Sequence, residues 1–204
     1  LSMIELRNIE KAFGEKQLFN GYNAAIPEAS LTIISGDSGC GKTTLLNMLG
    51  YLELPDKGDI IIDGKNLRDI KQQVYYRDYV GFLFQNFALM ENKTVKQNLE
   101  IIKPANRTDV TIEEALNRVG LSDKLNTKVY KLSGGEQQRA ALARLIIKRC
   151  RIILADEPTG SLDDRNAQIV MEQLHELAKE GKCVVMVTHN KKYLEEADNV
   201  LFLN

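Results

Sequence analysis

Residues Gly36-Asp37-Ser38-Gly39-Cys40-Gly41-Lys42-Thr43-Thr44 constrain this chain more than any other stretch. They fit the spacing G-x-x-x-x-G-K-[ST]. An apolar run, Leu31-Thr32-Ile33-Ile34, precedes them, and the helix-like Leu45-Leu46-Asn47-Met48-Leu49 follows. Strand, glycine-rich turn and helix in that order make a phosphate loop, in which backbone N–H groups curl toward one anion. The opening helix adds the positive end of its dipole. Lys42 would bring a mobile charge to the β- and γ-phosphates and Thr43 a hydroxyl for Mg²⁺. Ser38, Gly39, Cys40, Gly41, Lys42, Thr43 and Thr44 are therefore the candidate cradle for a nucleoside triphosphate. A bare turn has no use for a lysine and two hydroxyls at its exit.

The 204 residues suffice for one domain, or one core with an inserted lobe. A net charge of −1, with acids and bases interspersed, carries no electrostatic footprint for nucleic acid. The longest apolar runs, such as Val184–Val187, are too short to cross a bilayer. No leader segment is expected, and Leu1 and Ser2 ahead of Met3 are expected to carry no fold information. Asn204 follows the last apolar run directly, so no regulatory domain is expected after it. Cys40, Cys150 and Cys183 lack metal-ligand spacing and read as reduced thiols. Cys40 has two readings, a tolerated small residue or an oxidisable thiol inside the loop.

In chain order, Met3–Ile9 and Leu18–Ile26 read as an antiparallel pair, and Pro27-Glu28-Ala29 turns into the strand that feeds the loop. Asp59–Ile62 is a strand closed by Asp63-Gly64. Leu67–Tyr76 reads as a helix and Tyr79–Phe84 as a buried strand ending at Gln85. From Asn86 to about Lys148 the pattern is helical throughout, with Thr94–Ile102 and Thr111–Val119 as clear segments. Strands return at Ile152–Ala155, Cys183–Val187 and Val200–Leu203, separated by helices near Arg165–Glu180 and Lys192–Glu196. This alternation predicts an α/β fold: a phosphate-loop core with a mainly parallel sheet, an N-terminal antiparallel β subdomain and an inserted helical lobe. The expected division is 1–85 and 149–204 for the core and about 86–148 for the lobe.

Ile152-Ile153-Leu154-Ala155 runs into Asp156-Glu157-Pro158-Thr159. An apolar strand cannot leave two unpaired carboxylates in the core, so both must emerge at its carboxyl end, where open α/β sheets bind ligands. Asp156 would orient Mg²⁺ beside Thr43, and Glu157 would polarise the attacking water. A third stretch, Leu132-Ser133-Gly134-Gly135-Glu136-Gln137-Gln138-Arg139, reads as a capped, glycine-rich helix start, a second anion-binding end.

Taken together, these three stretches resemble the ATP-binding-cassette ATPases, with Leu132–Arg139 similar to their signature motif, and the likeness covers nearly the whole chain. The resemblance implies ATP and Mg²⁺ as cofactors. It also implies a nucleotide-dependent homodimer, head to tail, in which Ser133, Gly134, Gly135 and Glu136 serve the ATP of the partner chain. Gln85 then matches the glutamine that reaches Mg²⁺ and reports to a membrane partner, and Asp163 in Ser161-Leu162-Asp163 lies in the loop that crosses the interface. His189 matches the switch histidine on the γ-phosphate. Phe13 stands where the family stacks an aromatic on adenine. Glu157, His189 and Lys42 are the candidate catalytic groups; Thr43, Gln85 and Asp156 are the candidate metal ligands. His175 has no such context and reads as a surface residue.

The resemblance further implies the ATPase subunit of a transporter, peripheral on the cytoplasmic face of the membrane through a separate permease. Gly81-Phe82-Leu83-Phe84-Gln85-Asn86-Phe87 and the signature are similar to those of lipoprotein-release, macrolide-export and bacteriocin-export ATPases. Phe87-Ala88-Leu89-Met90 has two readings, a seat for a permease helix or core of the lobe. The competing class is a soluble ATP-driven clamp of the same superfamily, which usually carries two cassettes, long coiled coils or zinc insertions. This sequence has none of those marks. Glu157 and His189 speak against a regulatory module without turnover.

Overall fold

The computed structural model describes residues 2–203. Two sheets carry the chain. The first is antiparallel, ordered β2-β1-β4-β5, from β1 (Ser2–Phe13), β2 (Lys16–Pro27), β4 (Lys57–Ile62) and β5 (Lys65–Asn66). The second is parallel, ordered β6-β7-β8-β3-β9, from β3 (Ser30–Gly36), β6 (Val80–Leu83), β7 (Ile152–Asp156), β8 (Cys183–Val187) and β9 (Asn199–Leu203). The α/β architecture and its antiparallel N-terminal sheet agree with the sequence pattern.

The inner parallel strands are apolar at most positions because both their faces are covered, with Thr32 of β3 a buried polar exception. Residues alternate between two cores. Leu31, Ile33, Ile153, Ala155, Val184 and Met186 face one; Ile34, Ile152, Leu154, Cys183, Val185 and Val187 face the other. Helix α1 (Lys42–Leu49) closes the second core, burying Leu45, Leu46, Met48 and Leu49 on one stripe, and the antiparallel sheet joins it there. Helices α5 (Gly134–Ile147) and α6 (Asp164–Lys179) close the first. Each fully buried aliphatic side chain contributes roughly 1.5–3 kcal/mol, so the sheet is held by its two coats more than by its edges.

α6 buries Ala167, Val170, Met171, Leu174, Leu177 and Ala178, a single stripe at helical spacing. α5 is buried nearly all round, because it lies between the sheet and α3 (Val95–Glu100) and α4 (Ile112–Arg118).

Four expectations need correction. Ser2 is not free of structure, since it opens β1 opposite Pro27; Leu1 lies outside the described residues. β1 also runs on to Phe13, because register shifts after Leu6, with Asn8 at φ 50°, break the alternation that a sequence reader follows. Leu67–Tyr76 is not one helix. It is a 3-10 turn at Leu67–Asp69, a single α turn, α2 (Gln72–Val74), and a π turn at Tyr75–Tyr79. There Val80 N–H donates to the Tyr75 carbonyl, while the Lys148 ammonium takes the Tyr76 carbonyl at 2.6 Å that an α turn would have used. Finally, residues 86–148 are not helical throughout. Only α3, α4 and α5 are regular, and isolated bridges pair Thr94 with Lys128 and Arg107 with Lys148.

Candidate functional site

Four adjacent parallel strands deliver four of the singled-out segments at their carboxyl ends. β3 runs into the phosphate loop, β7 ends at Asp156, β8 leads to His189 and β6 leads to Gln85. This is the edge at which open α/β sheets bind ligands. A cleft of about 390 Å³ opens there, lined by Phe13, Ser38, Gly39, Gly41, Lys42, Thr43, Thr44, Asp156, Glu157 and His189, and also by Lys16, Leu18 and Val187.

The loop is shaped for an anion. Gly41 is the N-cap of α1 at φ 105°, a conformation that disfavours any side chain, and a Cβ there would press on the Phe19 ring at 3.0 Å. No side chain caps this helix. The Lys42 ammonium folds back on the loop and donates to the Gly36 and Asp37 carbonyls, both at 2.7 Å. Cys40 is half-buried in the loop with its Sγ 3.9 Å from Lys42 Nζ, and it does not line the cleft. Cys150 and Cys183 are buried free thiols, and burial pushes the Cys183 thiol up to about 12.

Across the cleft, Glu157 sits at φ 47°, a strained backbone for a residue with a side chain. Its N–H donates to the Val187 carbonyl at 2.9 Å, and its carbonyl accepts from Gly160 N–H at 3.1 Å, so the turn is pinned at both ends. Glu157 Oε1 is buried and has no hydrogen-bond partner. His189 Nε2 stands 3.3 Å from that oxygen without forming a hydrogen bond to it. Burial pushes the carboxyls of both Asp156 and Glu157 above their ordinary range, and His189 opposes the shift in each.

The remaining candidates lie outside the cleft. Gln85 is exposed on the loop after β6, and its Nε2 would be 3.6 Å from a Cβ on Gly160, beside the turn that holds Glu157. Ser133 is the N-cap of α5. It accepts from Glu136 N–H at 3.2 Å, and the Glu136 carboxylate accepts from Ser133 N–H at 3.0 Å. Gly134 follows as the first residue of α5 and is exposed. A Cβ on Gly135 would push aside the Asn166 amide, which is bonded to Asp163. Asp163 caps α6, accepting from Asn166 N–H at 2.9 Å. Thus α5 and α6 meet at their starts, away from the cleft that their own chain encloses.

Sequence reasoning missed three contributors. Lys11 is buried and bonds Glu53 at 2.8 Å, the Leu54 carbonyl at 3.0 Å and Asp56 at 3.4 Å, and its Nζ lies 5.2 Å from the Phe13 ring centroid. One face of Phe13 therefore rests on a cation, while the side chain stays 52% exposed on the cleft. Gln138 is buried in α5 and donates to the Pro158 carbonyl at 2.8 Å, tying the Ser133 helix to the Glu157 turn. Lys16 is the third. Lys11 and Lys16 belong to no sequence pattern, and Gln138, although inside the Leu132–Arg139 stretch, gains its tie to Pro158 only from the fold. His175 is not a plain surface residue: it is half-buried on α6, 3.5 Å from Glu196. Of Phe87–Met90, Phe87 and Leu89 pack against the first core while Ala88 and Met90 are exposed, so the core reading holds for two of the four.

Comparison with known proteins places this geometry. The family model described as "ABC transporter" matches residues 19–160. The uncharacterized ABC transporter ATP-binding protein MJ1508 of Methanocaldococcus jannaschii is 35% identical over 213 residues, 98% of this chain and 95% of that protein. The macrolide export ATP-binding/permease protein MacB of Nitrosomonas europaea is 37% identical over 98% of this chain, which spans only 32% of that protein. Among solved structures, the dimeric bacterial ABC transporter cassette MJ0796 superposes with a TM-score of 0.85 at 34% identity, covering 98% of this chain and 94% of that one. A post-hydrolysis state of that cassette, bound to ADP and Pi, superposes with a TM-score of 0.83 at 33% identity, covering 99% and 94%. This chain belongs to the ABC transporter family and is one of its ATP-binding ATPase subunits.

Proposed function

We propose that this chain hydrolyses ATP to drive a separate membrane permease, in an exporter whose cargo is a peptide or bacteriocin, a lipoprotein or a drug. The observation that carries the catalytic part is the Glu157 carboxylate, which lines a cleft that Lys42 and the open start of α1 also line and keeps one oxygen, Oε1, buried without a hydrogen-bond partner. A carboxylate oxygen left without a partner is costly unless a ligand completes it. A water polarised for attack on a γ-phosphate donates to this carboxylate from the cleft. Lys42 exchanges its loop carbonyls for phosphate oxygens, the N–H groups after Gly41 receive the anion, and His189 orients the water and the γ-phosphate beside Glu157. Phe13 stacks the adenine.

The donor set also fits Mg²⁺. No three His, Cys, Asp or Glu side chains cluster as a metal site among the described residues, and Mg²⁺ is commonly held by one or two protein oxygens together with phosphates. Thr43 and Asp156, with Gln85 from the adjoining loop, would be those ligands. When bound, the ion would neutralise charge that develops on the triphosphate.

Residues Ser133, Gly134, Gly135, Glu136 and Asp163 complete the cleft of a second copy, head to tail, so that ATP joins two chains. This reading draws support from their place at the meeting of α5 and α6, outside their own chain's cleft, and from the dimeric cassettes among the relatives. We read residues 86–148 as the lobe that meets the permease, with 1–85 and 149–204 as the ATPase core. No helix among the described residues is long and apolar enough to cross a membrane, and the permease relation draws on MacB, which carries both functions in one longer chain. Membrane attachment through that permease is part of the same proposal.

The test is Glu157→Gln. ATP affinity should persist while turnover falls by ~10²–10⁴, and an ATP-bound dimer should accumulate on gel filtration. Near-normal steady-state hydrolysis would remove Glu157 from this role.

A further inference from the structure

We infer that Lys16 is a second cationic ligand of the triphosphate, across the loop from Lys42. The inference rests on the ATP-cleft reading above and adds a residue to it. Lys16 opens β2, three residues after Phe13 and across the hairpin turn at Gly14-Glu15, so the β1–β2 pairing sets it between the base platform and the phosphate loop. Its Nζ donates to the Gly39 carbonyl at 2.8 Å. Gly39, at φ 77°, leaves room for it, since a Cβ there would come within 3.3 Å of that nitrogen.

Lys42 shows the same arrangement. Both ammonium groups rest on carbonyls of one loop, at 2.7–2.8 Å. Neither has a carboxylate within 4.0 Å among the described residues, and both line the same cleft. An exposed lysine with no anionic partner ordinarily extends into water, because its long stem loses rotamer freedom when held. Lys16 instead hooks back over the loop, although a single carbonyl satisfies only one of its three donors. A polyanion in the cleft offers the other two a better acceptor than the neutral carbonyl. A triphosphate spread between Phe13 and Lys42 passes this nitrogen.

The experiment measures binding of ATP and of inorganic tripolyphosphate to the full chain by calorimetry. Lys16→Met should weaken both ligands about three- to tenfold and flatten the fall of affinity with salt. Lys16→Arg should restore most of the loss. Phe13→Leu should weaken ATP alone, which separates base from phosphate recognition. Wild-type tripolyphosphate affinity and salt dependence in Lys16→Met, beside a clear loss in Lys42→Ala, would overturn the role of Lys16 and leave the cleft reading standing. Unchanged binding in Lys42→Ala itself would overturn the cleft reading and the Lys16 inference with it. Lys16 is exposed, so an unaltered melting temperature should accompany its variants.

Discussion

The starts of α1 and α5 are both glycine-rich turns into a helix, yet they are finished differently. α1 begins at Gly41 with no side-chain cap, and its lysine lies folded on the loop. α5 begins at Ser133 with a complete capping box closed by Glu136. A helix leaves its first four N–H groups without intrahelical partners. The box satisfies two of them on α5, while α1 leaves its own to whatever enters the cleft. The first start keeps donors free on the cleft, and the second is closed on itself with Ser133 and Gly134 exposed. Similar composition therefore gives two differently finished helix starts, and the cap residue separates them.

Mutations at the two starts should show this asymmetry, and the largest effect should come from Ser133→Arg. A bulky cation there should leave single-chain ATP affinity within about twofold, because Ser133 is outside its own cleft, yet lower turnover on the order of 10² by blocking the partner's phosphate contact. Loss of affinity in a strictly single chain would break the comparison. Lys42→Ala should do the reverse, weakening ATP binding to the single chain by roughly 10- to 100-fold through lost charge-assisted bonds. Equilibrium titration below the dimerisation range checks both.

Ser133→Ala isolates the capping role. It should cost about 1 kcal/mol, a drop of roughly 2–4 °C in Tm, with single-chain ATP affinity intact. The smallest effect concerns α4, whose start repeats the box with Thr111 and Glu114. The Thr111 backbone N–H holds the Glu114 carboxyl below its ordinary value of 4.5. A depressed carboxylate adds stability above its unfolded value and loses it as pH falls through the folded one. Glu114→Gln should therefore melt slightly below wild type at pH 6, and the gap should close as pH drops below about 4. A gap that stayed constant with pH would mean that the charge on Glu114 is irrelevant.

The legible part of the sequence followed simple rules. Cys183–Val187 was readable to the residue, and Ile152–Ala155 nearly so, since a doubly covered strand admits only apolar side chains. The loop at 36–44 and the acids at 156–157 were readable because their chemistry needs particular residues in a fixed order. The π turn at Tyr75–Tyr79 was not, because the lysine that withdraws the Tyr76 carbonyl lies 72 positions away. The extension of β1 to Phe13 was hidden by bulges, which defeat any period-two pattern.

By itself, then, the sequence determined which groups would stand at the rim of the cleft: the order of strands and turns fixes residue types at the strand ends. Tertiary structure decided the rest. Sheet order set the loop, Asp156 and His189 on neighbouring strand ends, hairpin pairing laid Lys16 over Gly39, and packing put Lys11 behind Phe13 and Gln138 under Pro158. The physical reason is range. Strand patterns and helix caps are settled among residues a few positions apart, whereas a lone polar side chain acquires its partner only when distant segments are brought into contact.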